Sequence, residues 1–341
     1  MKIVFLGSDT AISVLKSLCN SKHEVVAVVC QPDKPNGRNN KMEMCEVKKF
    51  AISKNIPVLQ YEKVSKEGVQ DIKNFKPDFL VSASFGQIIS QEIIDIPKYE
   101  TLNVHPSLLP KYRGASPIIS AILNGDKETG VAIMKMVLKM DAGGTYVIEK
   151  VKIIENETAG ELTERLFNLG SKLLLETIDR IVNKTAMLTE QNDIDVTFCS
   201  KVMKEDAKLD FEFSCKKLVN MTRAYNPSPV AYFEYHNEKY KVFEGKYAWH
   251  NSKAYMNICS FLQKDKFLNG EIVYSSCKPF GLVIKAKNGF FIPKVIQAPN
   301  GKKMDIKSYL NGKSFNVGEI IIWKNACLIY IKKILTKSQK N

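Results

Sequence analysis

Apolar residues in the first half of the chain fall into short strand-like runs separated by stretches with helical spacing. Residues 2–6 contain the run Ile3-Val4-Phe5-Leu6, residues 9–20 repeat apolar positions at the interval of an amphipathic helix, and residues 24–30 form a β-branched run. The same alternation predicts helices over 46–54 and 64–74, each followed by a brief extended run, Val58-Leu59 and then Phe79-Leu80-Val81. Strands are predicted again at 101–105 and 130–136. The longest helical pattern spans 158–182, where Thr158 as N-cap and Glu161 three residues later make a capping box. This strand and helix rhythm predicts an α/β fold, a doubly wound, mainly parallel sheet covered on both faces.

A polar stretch at 183–206 interrupts the rhythm, and the pattern beyond it is different. Short strands are predicted at 230–235, 239–243, 270–274, 282–286 and 290–296, with Asn288-Gly289 as a hairpin signal. Five short strands suit a small β-barrel of the oligonucleotide-binding (OB-like) type. A length of 341 residues also favours two domains over one core. The division expected is a catalytic domain at 1–190, a linker at 191–206, a basic OB-like domain at 207–330 and a Lys-rich tail at 331–341 that frays.

Composition narrows the class. No apolar run approaches the roughly 20 residues needed to cross a bilayer, and the first apolar run is too short for a signal segment and lacks a cleavage site. A cytoplasmic protein, in a bacterium, is expected. The eight cysteines are scattered without a Cys-x-x-Cys, which argues against structural zinc and for reduced, buried thiols. Charge is unevenly divided. Residues 1–205 carry 27 Lys and Arg against 26 Asp and Glu, a net +1, whereas residues 206–341 carry 23 against 10, a net +13. Such an excess suits a polyanionic partner, because neutralised phosphates release counterions; it also suits simple solubility. The turn after the first strand, Gly7-Ser8-Asp9-Thr10, lacks the further glycines of a dinucleotide fingerprint, so a nicotinamide cofactor is disfavoured.

Chemistry concentrates in one segment, Asn103-Val104-His105-Pro106-Ser107-Leu108-Leu109-Pro110-Lys111-Tyr112-Arg113-Gly114. Asn103 and His105 stand two apart at a strand end, so an amide donor and an imidazole project from one face. Two readings are open for the pair taken alone: a ligand-facing strand end, where open α/β sheets bind substrates, or a strand end tidied by hydrogen bonds. Asp141, in Met140-Asp141-Ala142-Gly143, is by itself equally a turn residue.

With its neighbours, this segment resembles the folate-dependent formyltransferase superfamily, and most specifically the members that formylate methionyl-tRNA. Further matches are Gln31-Pro32-Asp33-Lys34-Pro35, Phe85-Gly86-Gln87-Ile88-Ile89, Ile122-Leu123-Asn124-Gly125-Asp126 and Arg223-Ala224-Tyr225-Asn226-Pro227, which spread the likeness over nearly the whole chain. The resemblance implies a Rossmann-like formyltransferase domain with catalytic Asn103, His105 and Asp141. It implies folate contacts from Ser107, Leu108, Leu109 and Pro110 on one wall and Phe85, Gly86, Gln87 and Ile88 on the other. It implies 10-formyltetrahydrofolate as formyl donor with no metal, and initiator methionyl-tRNA as partner without a membrane or an obligate protein partner. Arg38 and Lys41, in the insertion at 33–49, would meet the tRNA acceptor end. The sequence departs from the family pattern at Asn39 and Asn40, at Ser228 in place of Trp, and at Gly144 in place of a further Asp.

The residues suit that reaction. An amine attacking a formyl carbon places negative charge on oxygen, and Asn103 and a protonated His105 can each donate to it; one such donor contributes about 3 to 4 kcal/mol. Asp141 is the carboxylate available to balance the imidazolium and to orient a proton-carrying water. Rival readings are a formyltransferase for a small amine, such as glycinamide ribonucleotide or an amino sugar, and an inactive RNA-binding relative. The basic second half argues against the first rival, and the intact trio against the second.

Overall fold

In the computed structural model the described residues are 1–36 and 41–321. The first part of the chain builds a seven-stranded sheet in the order β10-β9-β7-β6-β1-β2-β5. Its strands are β1 (Lys2–Gly7), β2 (Glu24–Cys30), β5 (Val58–Gln60), β6 (Phe79–Ala83), β7 (Glu100–His105), β9 (Glu128–Lys135) and β10 (Thr145–Lys152). The ladders from β5 through β7 are parallel, and β9 and β10 then run antiparallel. Ile3, Val4, Phe5 and Leu6 of β1 are all fully buried, which is why this strand reads as a continuous apolar run instead of an alternating one. The intervening helices are α1 (Ile12–Cys19), α2 (Glu46–Ser53), α3 (Val64–Glu67), α4 (Val69–Asn74), α5 (Gln91–Ile94), α6 (Pro117–Asn124) and the long α7 (Ala159–Val182). Val64 of α3, Ile72 of α4 and Ile93 and Ile94 of α5 pack on Val4, Leu6, Ala27, Val29 and Leu80 of the sheet.

Several elements differ from the sequence expectation, each for a local reason. The helix expected over 64–74 divides at Gly68, where a Cβ would come within 2.9 Å of Val64 and 3.0 Å of Tyr61. The helix expected over 9–20 opens with a 3-10 turn, Asp9–Ala11, before α1. Short pairs without any legible period were not anticipated: β3 (Lys34–Asn36) with β4 (Lys41–Glu43), and β8 (Arg113–Gly114) with β11 (Phe198–Cys199).

That last pair bears on the domain division. The chain forms two compact units, one made of residues 1–121, 126–155 and 160–201, the other of residues 122–125, 156–159 and the described residues from 202 onward. Residues 191–201, read from composition as linker, are thus an ordered strap of the first unit. The tail at 331–341 lies outside the described residues.

The second unit is an antiparallel sheet in the order β12-β13-β16-β15-β14, with β17 added on β16. Its strands are β12 (Ala231–Tyr235), β13 (Glu238–Trp249), β14 (Ile272–Ser276), β15 (Gly281–Ala286), β16 (Gly289–Gln297) and β17 (Lys303–Asp305). The expected hairpin is the β15–β16 connection, with Ala286 opposite Gly289. Expected to stop at 243, β13 continues to Trp249 because register shifts at Val242, Glu244 and Gly245 break its alternation without ending it. The helices α8 (Cys215–Ala224), α9 (Lys253–Leu262) and α10 (Ile306–Tyr309) were also not anticipated. Tyr255 and Ile258 of α9 pack on Ala248, Val273, Val283 and Phe290.

Candidate active site

The parallel run of strands brings Asn103 and His105 to the C-terminal end of β7, beside β6 and β9. His105 is buried and Asn103 half-buried. The His105 Nε2 lies 3.0 Å from the Tyr112 carbonyl oxygen. A carbonyl only accepts, so Nε2 carries a proton and Nδ1 is the nitrogen turned elsewhere. It faces Asp141, whose Oδ2 stands 3.7 Å away. The other carboxylate oxygen of Asp141 lies 3.5 Å from Asn103 Nδ2, a long contact. The structure therefore brings together the three residues singled out as catalytic.

The hairpin between β9 and β10 supplies Asp141, and its backbone has to turn sharply to do so. Asp141 sits at φ +48°, in the left-handed region. Two residues on, a Cβ at Gly143 would stand 1.9 Å from the Lys135 carbonyl oxygen, so the return is open only to glycine. Gly144, where the family pattern favours an acid, has Leu188 in the way of any side chain, with Leu188 Cγ 2.8 Å from the Cβ position. Asp141 Oδ2 accepts the Gly114 amide N–H at 2.8 Å. Gly114 is held by β8–β11 pairing at φ +123°.

Around this core lies a group that sequence reasoning passed over. Gln191, in the strap, donates through Nε2 to the carbonyls of Asp141 (2.8 Å) and Gly143 (2.7 Å). Its Oε1 accepts from Arg113 Nε (3.0 Å) and Nη2 (2.8 Å). Arg113 is among the largest fully buried side chains, and its Nη2 also meets Asp193 at 3.1 Å. Tyr112 donates its hydroxyl to Asp126 at 2.6 Å. Burial raises the pKa of the Cys199 thiol, and the charge of Asp141 adds to the rise against opposing hydrogen bonds from Ser116 and Ser120.

The residues expected to contact folate divide by environment. Ser107 is fully buried and donates its hydroxyl to the Lys111 carbonyl at 2.7 Å, closing the turn after β7. Leu109 packs with Ala132 and Met134, Leu108 fills the space above Gly130, and Pro110 is half-buried. On the opposite loop Phe85 belongs to the core, and Gln87 spends its amide on Val64 N–H (2.8 Å), the Tyr61 carbonyl (2.8 Å) and Gln31. Gly86 is exposed, and Ile88 is 80% exposed. Gln31 also donates to the Phe85 carbonyl at 2.7 Å, bracing the loop. Leu138 and Met140, on the hairpin that carries Asp141, are exposed as well. Of the two residues expected at the tRNA acceptor end, Lys41 is placed through the pairing of its backbone with Asn36, and Arg38 lies outside the described residues.

A family profile described as formyl transferase matches residues 1–178. The chain belongs to the formyl transferase family. A second profile, the formyl transferase C-terminal domain, matches residues 201–314. The chain is 37% identical over 322 residues to the methionyl-tRNA formyltransferase of Sulfurihydrogenibium sp. (strain YO3AOP1), covering 94% of this chain and 99% of the relative. It is 36% identical to the methionyl-tRNA formyltransferase of Clostridium perfringens (strain 13 / Type A), covering 94% and 100%. Among solved structures, WlaRD, a sugar 3N-formyl transferase crystallised with dTDP and 5-N-formyl-THF, superposes with a TM-score of 0.60 at 21% identity, covering 88% of this chain and 98% of that one. HypX from Aquifex aeolicus in complex with tetrahydrofolic acid gives a TM-score of 0.60 at 17% identity, covering 91% and 47%. These two likenesses show the fold. This formyl transferase thus carries a polar strand-end trio and a strap whose Gln191 is bonded to the loop that supplies Asp141. Among its described residues no group of three or more His, Cys, Asp or Glu is arranged to hold a metal, and no helix is long and apolar enough to cross a membrane.

Proposed function

We propose that this formyl transferase moves the formyl group of 10-formyltetrahydrofolate onto the free amino group of initiator methionyl-tRNA, in the cytoplasm of a bacterium. The observation that carries the reading is the convergence of Asn103, His105 and Asp141 at the end of β7, in a chain that matches methionyl-tRNA formyltransferases over 94% of its length. Uncovered apolar side chains at Ile88, Leu138 and Met140 suit the flat rings of a folate. Asn103 donates to the formyl oxygen as charge builds there, and His105 supplies a second donor and a compensating charge. As the new carbon–nitrogen bond forms and the bond to the folate nitrogen breaks, the amine gives up one proton and the leaving nitrogen takes one. In this reading Asp141 holds the water that carries it.

In this reading the unit that extends through residue 201 does the chemistry and residues 207–330 hold the tRNA, consistent with the net +13 of residues 206–341. Arg38 and Lys41 position the acceptor end. The test is to incubate the protein with 10-formyltetrahydrofolate and either charged initiator tRNA or glycinamide ribonucleotide. Formyl on the methionine supports the reading, and formyl on the ribonucleotide alone replaces it with the small-amine reaction.

A further inference from the structure

The side chain of Gln191 belongs to no strand of the main sheet, yet all its hydrogen-bonding capacity is spent on the loop that carries Asp141 and on Arg113, the residue just before Gly114. Both N–H groups serve the carbonyls of Asp141 and Gly143, and the oxygen serves the buried guanidinium. Around it the strap is pinned by reciprocal bonds between Thr145 and Thr189, 2.8 and 2.9 Å long, and by β8–β11 pairing, where the Thr197 carbonyl accepts the Arg113 N–H at 2.9 Å. Asp141 has a strained left-handed backbone, and its carboxylate must reach His105, Asn103 and the Gly114 amide together. Within the hairpin the Ala142 N–H donates to the Lys139 carbonyl (3.2 Å) and the Lys135 N–H to the Gly144 carbonyl (2.9 Å), but Ala142, Gly143 and Gly144 add no polar side chain to hold the loop against its surroundings.

We infer that Gln191 is a positioning residue for the formyl transfer: it clamps the Asp141 loop onto the buried Arg113 and so sets the distance from the Asp141 carboxylate to His105. The inference rests on the assignment of Asp141 to the reaction. The chemistry of the clamp separates its two halves. Gln191→Glu keeps an acceptor for Arg113 but turns a carboxylate towards two carbonyls, so the loop is released while the guanidinium stays paired. Gln191→Leu removes both.

The experiment uses the full chain and two readouts. The first needs no substrate: hydrogen exchange at the Gly114 amide, whose protection comes from Asp141. It should speed up roughly tenfold or more in both variants while amides within β7 keep their rates. The second is formyl transfer, where kcat should fall roughly tenfold to a hundredfold in both variants with the KM for tRNA within about twofold, because the loss falls on the transition state. The thermal midpoint should drop clearly in Gln191→Leu and little in Gln191→Glu. Unchanged Gly114 exchange with kcat within about twofold of the parent in Gln191→Glu would overturn the clamp. If the parent protein formylates no amine, the functional reading fails on its own, and the exchange experiment still decides whether Gln191 holds the loop.

Discussion

Replacing Asp141 by Asn changes one atom and removes one charge, and the geometry says what each loss does. At an effective dielectric constant of about 20, unit charges at the 3.7 Å separating Asp141 from His105 attract by about 4 kcal/mol. In the proposed mechanism a cationic His105 balances the developing oxyanion and the Asp141 carboxylate supports that charge, so the loss falls on the transition state. The amide also creates a conflict. If its oxygen keeps the Gly114 N–H, its NH2 is turned towards the Asn103 NH2, which lies 3.5 Å from the present oxygen. Asn103 then rotates to present its own oxygen and withdraws its donor from the reacting carbonyl. The two effects share one site and do not add. At about 1.4 kcal/mol per decade, we expect kcat to fall between about a hundredfold and a thousandfold, with folding intact because the Gly114 bond survives. The assay is single-turnover formyl transfer at saturating donor and acceptor, with the melting temperature as control. A folded Asp141→Asn protein that keeps kcat within about tenfold would refute the electrostatic role.

Further expectations rest on other parts of the molecule. Gly114→Ala puts a Cβ 2.2 Å from the Cys199 carbonyl at φ +123°, so β8 and β11 should separate; we expect a loss of about 2 kcal/mol or more in denaturant unfolding, and a wild-type midpoint would contradict it. Burial, aided by Asp206, pushes the Tyr225 phenol up to about 12. Its folded pKa exceeds the unfolded value of about 10, so its contribution is intact below pH 10 and lost as pH rises through 12. Tyr225→Phe should therefore flatten the fall in stability across that window by about 2 to 3 kcal/mol, and chemical unfolding at pH 9 and pH 12 reads it. The affinity for tRNA should fall steeply with salt, and Arg38→Ala should leave a defect that persists at saturating tRNA; if saturation restores the rate, Arg38 adds affinity without placing the amine.

The pair proposed as catalytic was legible because strand alternation places Asn103 and His105 on one face whatever the rest of the chain does. Asp141 was legible only through the company of its motif; nothing local says that a turn aspartate will meet a histidine 36 positions earlier. Gln191 was invisible for a stronger reason. Its role depends on a strap closing over a hairpin fifty residues away, and a polar stretch without periodicity carries no trace of such a closure. The same holds for the two-residue strands β8 and β11. In the second unit, strands were found where apolar alternation persists, but the bulge near Gly245 hid half of β13, and α8 and α9 were passed over because their helical spacing is brief and set among strand-forming residues. The loops proposed to contact folate were legible as motifs but not as structure, since Phe85, Ser107 and Gln87 turn inward and leave Gly86 and Ile88 facing out.

The two margins of the seven-stranded sheet bear on how the protein behaves at high concentration. An uncovered strand is a template on which another copy can grow, and long, flat, apolar margins drive that growth. Here β5 is only three residues long. At the far side β10 presents exposed Glu149, Lys150 and Lys152, and its first residue is already paired with Thr189. Any copy that docked along β10 would have to desolvate these charges. The margin beside the hairpin that carries Asp141 can thus remain open to solvent without becoming a seed for aggregation.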